Sequence, residues 1–294
     1  VDDVRKDPAF RAKKGQDVLF FTLEMAAEDL IDKSLSRTMY DVRGNLSESN
    51  VLTSREIYLG ERIDAKGKKV LYRPYNEAER GLLEKAVKDY RDHAGRLYFV
   101  EKANRDPLDG PRGISARDIR SIVEDHVKLE GTRPVVIVDY LQKITSMLQA
   151  GSTDLQILDA TVQELRSIAL DFHIPVMAIS SLNRSGYDGK TGMAGFKGTS
   201  EIEFTADTLM RLRRKGEEDS EDGLEVVDIT DGASGENMEI EIVKARIGDR
   251  GVLEYAFKGK YSHYRETGYK TWMDVLNEKA KKGKAKKSGP SWKK

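Results

Sequence analysis

Pro134-Val-Val-Ile-Val-Asp-Tyr-Leu-Gln142 decides the fold. Val and Ile are stiff at χ1 and favour the pleated strand. An unbroken apolar run lacks the alternation of a strand with one wet face, so it signals burial on both faces, as in a parallel sheet. Residues 135–138 are therefore expected to form a central strand that ends on a carboxylate, Asp139. Outward from it, Val18-Leu-Phe-Phe-Thr22, Leu97–Val100 and Ile174–Ser180 read as further strands. Between them Ala26–Tyr40, Asn76–Asp92, Ala116–Leu129 (with Ser115 as cap) and Asp154–Phe172 carry apolar residues at helical spacing. Expected inward positions include Ile119, Ile122, Val123, Val127 and Leu129 on the third helix, and Leu155, Leu158, Val162, Leu165 and Ile168 on the fourth. Strands alternating with helices imply right-handed crossovers and an α/β fold, a mostly parallel sheet flanked by helices.

Beyond residue 200 the pattern changes. Asp207–Leu212 reads as a strand, and Met238–Lys244, Val252–Phe257 and Tyr261–Tyr264 alternate between glycine turns, which predicts an antiparallel extension. Arg105–Gly113, with its prolines and glycines, reads as a loop. Residues 44–75 are polar and mixed, carry a helix signal only at Thr53–Leu59, and receive no chemistry.

The chain has 294 residues and no net charge, with 50 basic and 50 acidic side chains. The balance is local. Residues 277–294 hold eight lysines against Glu278, so this tail carries +7 and residues 1–276 carry −7. A neutral total therefore does not exclude an anionic partner. The tail is too rich in lysine to fold alone. Absence of cysteine excludes disulfides and thiolate metal sites. The four histidines, 93, 126, 173 and 263, have no metal-ligand spacing. No apolar run approaches the ~18 residues of a membrane span, and Val1–Arg11 has no signal-peptide core. A cytoplasmic protein is expected.

Ligands of open parallel sheets bind beyond the carboxyl ends of the strands, and three such ends carry polar groups. Glu24 follows Phe20-Phe21-Thr22-Leu23; there it can orient an attacking water beside a phosphate, or serve only as a first-turn acid at a helix N-terminus. Asp139 fits a magnesium-side carboxylate, or a turn residue. Ser180-Ser181-Leu182-Asn183-Arg184 can face a phosphate or nucleic acid, or be an ordinary turn.

These strand ends, with Lys244-Ala-Arg246-Ile-Gly248, resemble the RecA-like ATPase core of DnaB-family replicative helicases. The resemblance runs from about Gly15 to Glu266. It rests on Gly15–Met25, Pro134–Gln142, Val176–Arg184, Lys197–Glu203 with Ala206-Asp207, and Met238–Gly248 with Gly251–Phe257, in that order. It implies an ATP-dependent DNA helicase motor acting in DNA replication, with ATP and Mg2+ as cofactors. Glu24 would be the catalytic base and Asp139 the acid that holds Mg2+ through the nucleotide. Lys244 and Arg246 would reach the nucleotide of a neighbouring subunit in a homo-hexamer, Arg246 as arginine finger. Ser181 would stand at the γ-phosphate-sensing position, where the family usually carries glutamine. Residues 185–197 would form the central-channel loop on single-stranded DNA, with Arg184, Lys190 and Lys197 as contacts. Primase or a helicase loader would be further partners.

The sequence contains no G-x-x-x-x-G-K-[ST] phosphate loop. Gly189-Lys-Thr191 has arginine, not glycine, five positions earlier and falls in the expected DNA loop. The expected organisation is thus a RecA-like helicase ATPase domain over 1–276, truncated at its N-terminus and weak or inactive alone, with a disordered tail over 277–294. The alternatives are a RecA- or RadA-like recombinase ATPase and a non-catalytic module that binds single-stranded DNA or a helicase.

The tail yields a first prediction. Deleting residues 278–294 is expected to flatten the dependence of single-strand affinity on log salt. An unchanged slope in a fluorescence-anisotropy titration would leave the tail a solubility role only.

Overall fold

The structure, a computed structural model, describes residues 16–60, 62, 63, 69, 70, 74–94, 96–101, 113–146, 148, 151–181, 200–215 and 236–277. The chain divides into two compact units, residues 1–183 with 196–205, and 184–195 with 206–294.

The first unit is built on a four-stranded parallel sheet. Its strands are β1 (Val18–Thr22), β4 (Leu97–Val100), β5 (Val135–Asp139) and β6 (Val176–Ala178), in the order β4-β1-β5-β6. A two-residue pair, β2 (Arg62–Ile63) and β3 (Lys69–Val70), stands apart. The helices are α1 (Ala27–Val42), α2 (Ser54–Leu59), α3 (Glu77–Ala94), α4 (Ala116–Glu130), α5 (Asp154–Phe172) and α6 (Ser200–Thr205). Their starts follow local chemistry. Thr53 with Glu56, Ser115 with Asp118, and Thr153 with Gln156 each form a reciprocal capping box, which satisfies backbone N–H groups that the first turn leaves without partners. α4 stops at Gly131, whose φ of +67° only glycine adopts cheaply.

The strand order positions everything else. From β1 the chain passes through α1–α3 to β4 on one side. It returns through α4 to β5 on the other side of β1, then continues through α5 to β6. Right-handed connections that run in opposite directions across a sheet lie on opposite faces. The chain therefore leaves the carboxyl ends of β1 and β5 towards opposite faces, and a crevice opens between them.

Burial departs from the sequence reading in instructive ways. Val136 and Val138 are fully buried together with Leu19 and Phe21, their register partners. Val135, Ile137, Val18 and Phe20 on the other face are only half-buried. Consecutive β-branched residues identify the strand but do not report how much cover each face receives. Leu129 is 83% exposed, a correction to its expected inward role. At 100° per residue it falls about a quarter turn off the line through Ile119, Val123 and position 126. His126 takes the buried place. Leu155 is exposed as well, since packing along α5 begins at Leu158.

His126 is buried because its partners are. At the amino end of β1, Asp17 is 3% exposed. One of its oxygens lies 3.1 Å from His126 Nε2 and accepts from Thr132 Oγ1; the other accepts from Arg96 Nη1 at 3.2 Å. The His126 ring meets the Tyr98 ring edge-on. This cluster fastens β1, the start of β4, α4 and the approach to β5 at the end of the sheet away from the crevice.

The second unit is a four-stranded antiparallel sheet, β10-β9-β8-β7. It contains β7 (Thr208–Arg214), β8 (Glu236–Ala245), β9 (Gly251–Lys258) and β10 (His263–Thr271). The last strand corrects the expected Tyr261–Tyr264. Tyr261 is buried in a short 3-10 turn, and the strand runs on through Arg265, Glu266 and Lys270. A polar edge strand gives little hydrophobic signal, which is also how edges avoid pairing with other chains. Glu239 and Glu241 are nearly buried on β8 and are answered from β7: Arg211 donates to Glu241 at 2.5 Å, and Arg213 lies 3.0 Å from Glu239. Among the described residues no helix is long and apolar enough to cross a membrane.

Replacing Asp17 with Ala would leave His126, Thr132 and Arg96 without their shared acceptor. Leaving buried hydrogen-bonding groups without their acceptor costs about 1–3 kcal/mol. Urea unfolding of Asp17→Ala is expected to show a loss of that size, and a loss under about 1 kcal/mol would make the cluster incidental.

Candidate active site

β1 and β5 pair in parallel with Thr22 opposite Asp139. The Leu23 N–H donates to the Asp139 carbonyl at 2.9 Å, so the chain is held in register one residue past the strand. Glu24 is the next residue and is exposed; Asp139 is half-buried. The fold thus brings together at the crevice the two carboxylates that the sequence places 115 positions apart. Burial raises the Asp139 carboxyl above its ordinary value, the Glu24 charge raises it further, and Lys33 on α1 opposes the shift.

Two groups at this end were not found from the sequence. Glu101 follows β4 and accepts from the Ala27 N–H, the first of α1, at 2.6 Å. It anchors the helix start that carries the chain away from Glu24, and the favourable setting of an acid at a helix N-terminus explains it. A strand-end acid after Leu97–Val100 was the available signal. Gln142 lies in the 3-10 turn Leu141–Lys143 just after β5. Its side chain bonds to Ser180 and to the N–H of Ser181, which is exposed beyond β6. The Asp139–Tyr140 peptide is cis. Among the described residues no group of three or more His, Cys, Asp and Glu side chains is arranged to hold a metal ion. One or two carboxylates suffice for a cation that is also bound by phosphate oxygens.

Lys244 and Arg246 belong to the second unit. Lys244 stands opposite Leu209 on β7, and Arg246 follows the end of β8. The Arg246 N–H donates to the Asp207 carbonyl at 2.8 Å. Its guanidinium donates to the Asp207 carboxylate at 2.9 Å, with side chains 41% and 78% exposed. Ile247 beside it is 94% exposed, and Gly248 turns the hairpin at φ +97°. The finger candidate therefore sits on a turn tip in a solvent-screened pair. Arg184, Lys190 and Lys197 lie outside the described residues, as do residues 278–294 of the tail.

The raised Asp139 carboxyl has a consequence for stability. Between the ordinary carboxylate value and the raised one, the folded chain holds a proton that the unfolded chain releases, so this group's contribution falls as pH rises through that window. Asp139→Asn removes the contribution. It is expected to melt above the unsubstituted chain at pH 7, with the gap closing as pH falls below the ordinary carboxylate range. A gap independent of pH in thermal melts would show that the crevice does not disfavour the Asp139 charge.

Comparison with known proteins assigns the fold and the family. Residues 76–266 match the model of the DnaB-like helicase C-terminal domain. The chain is 25% identical over 256 residues to the replicative DNA helicase DnaC of Bacillus subtilis, covering 86% of this chain and 46% of that protein. It is 27% identical over 161 residues to a probable replicative DNA helicase of Trieres chinensis, covering 53% of this chain and 34% of that protein. It thus spans less than half the length of these relatives. Among solved structures, a DnaB-like replicative helicase studied with primase superposes with a TM-score of 0.62 at 19% identity, over 87% of this chain and 55% of that one. A solved ATPase domain superposes with a TM-score of 0.63 at 18% identity, over 87% and 76%. These likenesses show a RecA-like helicase ATPase fold. With a family model matched over most of its length, this chain belongs to the DnaB-like helicase C-terminal domain family.

Proposed function

We propose that this chain is the ATP-dependent motor domain of a DnaB-type replicative helicase, coupling ATP hydrolysis between subunits to movement along single-stranded DNA. The observation that carries the reading is the meeting of Glu24 and Asp139 at neighbouring strand ends of the crevice. Glu24, exposed beside a partly desolvated acid, is suited to take a proton from an attacking water. Asp139 is the residue that would hold Mg2+ through the nucleotide. The fit is chemical: hard carboxylate oxygens suit the ion, and a cation offsets the burial, and after it the Glu24 charge, that raise the Asp139 carboxyl. Bound there, Mg2+ supplies charge neutralisation at phosphate oxygens. Ser181 stands at the end of β6, where a γ-phosphate would be sensed.

Arg246 and Lys244 act on the nucleotide of a neighbouring copy in a homo-hexamer. An exposed pair such as Arg246–Asp207 is worth at most about 1 kcal/mol, so the guanidinium can exchange Asp207 for a phosphate at little cost. Arg184, Lys190 and Lys197 contact the DNA backbone without reading sequence. On this reading residues 1–276 form the motor domain, 277–294 are a basic tail, the location is the cytoplasm, and primase or a loader is the protein partner to test.

The 294 residues contain no G-x-x-x-x-G-K-[ST]. That motif supplies the amide cradle, a lysine and a magnesium ligand. Its absence keeps a second reading open, a non-catalytic module that binds single-stranded DNA or a helicase.

Three measurements test these readings. An oligo-dT titration followed by fluorescence anisotropy is expected to show binding that weakens steeply with salt and exceeds duplex binding; no binding would overturn the motor reading. ATP turnover by the 294-residue chain is expected near background with or without oligo-dT, and robust DNA-stimulated turnover would refute the weak-alone expectation. Calorimetry with Mg2+ and ATP separates the two readings. Nucleotide binding that Asp139→Ala abolishes supports the motor, whereas DNA binding with no nucleotide response supports the module.

A further inference from the structure

β6 is the weakest strand of the parallel sheet. It is an edge strand of three residues, and Met177 and the following Ile179 are 49% and 44% exposed. Packing alone holds its end poorly. Hydrogen bonds to β5 must fix it, and these run past both strands: Ile179 N–H donates to the Val138 carbonyl at 2.9 Å, and Leu141 N–H donates to the Ile179 carbonyl at 2.9 Å. Two further bonds continue the series, and both come from one side chain. Gln142 Oε1 accepts from the Ser181 N–H at 3.3 Å, and Gln142 Nε2 donates to Ser180 Oγ at 2.9 Å. A primary amide offers what a peptide group offers, a carbonyl acceptor and an N–H donor. The Gln142 side chain thus prolongs the ladder past the bond from Leu141 to Ile179. Its own position is fixed, since Leu141 beside it is 4% exposed and anchors the turn.

We propose that Gln142 is a positioning residue that ties Ser180 and Ser181 to the end of β5, so that the carboxyl end of β6 moves with the strand end that bears Asp139. Arg184, the first assigned DNA contact, follows Ser181 by three positions in the sequence. On the motor reading, loss of the Gln142 bonds is expected to lower single-strand affinity. This rests on the motor reading above for its DNA arm and on geometry alone for its positioning arm.

The test uses the 294-residue chain with Gln142→Ala and Gln142→Glu. A carboxylate at 142 keeps acceptors for the Ser181 N–H and for the Ser180 hydroxyl; alanine keeps neither. Amide exchange at Ser181, read by NMR, is expected to quicken in Gln142→Ala by up to about tenfold, the worth of one net hydrogen bond, and to return towards the unsubstituted rate in Gln142→Glu. Oligo-dT affinity is expected to fall several-fold in the alanine variant and to recover in the glutamate variant. Thermal midpoints are expected to stay together, because the residue is only half-buried. Unchanged Ser181 exchange in Gln142→Ala overturns the proposal. Faster exchange with undiminished oligo-dT affinity overturns the link to DNA. A chain that never binds oligo-dT defeats the motor reading instead, and the exchange comparison then decides the positioning role alone.

Discussion

The parallel pairing of β1 with β5 is the constraint on which the candidate site depends. Register fixes which side chains share a face, and a slip of one residue would turn every side chain of the strand over. With Leu19 opposite Val136 and Phe21 opposite Val138, four fully buried apolar residues lock that register. Thr22 then falls opposite Asp139, and the bond from Leu23 to the Asp139 carbonyl delivers Glu24 to the same end. The core packing and the meeting of two carboxylates are thus one event seen at two places along the strands.

The two ends of this sheet carry opposite electrostatic designs. At the amino end, Asp17 is surrounded by donors from Thr132, Arg96 and His126 and is closed to water. At the carboxyl end, Asp139 is half-buried beside another acid, Glu24, with Lys33 opposing. A satisfied buried cluster rigidifies, whereas a carboxylate kept short of partners is poised to accept a cation or a proton. A sheet fastened at one end can support an unfavourable arrangement at the other, because the cost at the crevice is met by packing it does not disturb.

The antiparallel unit shows the same economy by different means. Glu239 and Glu241 are buried, yet each meets an arginine of β7. Such pairs contribute little net stability but are costly to mismatch. They therefore suit the task of fixing which residue of β7 faces which residue of β8. That register in turn sets where the strand ends, and so where Lys244 and Arg246 stand on the hairpin.

The sequence by itself determined the elements and the chemistry available at their ends. The β-branched run 135–138, the capping residue Ser115, and the acids after β1 and β5 were legible because each is a local effect: side-chain stiffness, a hydrogen bond three residues on, a charge at the end of an apolar run. The order of the motif stretches also carried the family resemblance, which the family match over residues 76–266 bears out; of the stretches, Gly15–Met25 precedes that match. What only the tertiary structure decided was adjacency. That β1 lies between β4 and β5, that His126 rather than Leu129 turns inward, and that Gln142 reaches Ser181 depend on groups 39 to 115 positions apart in the chain. No local pattern encodes such pairings, because they follow from how the strands stack and which side chains then find partners.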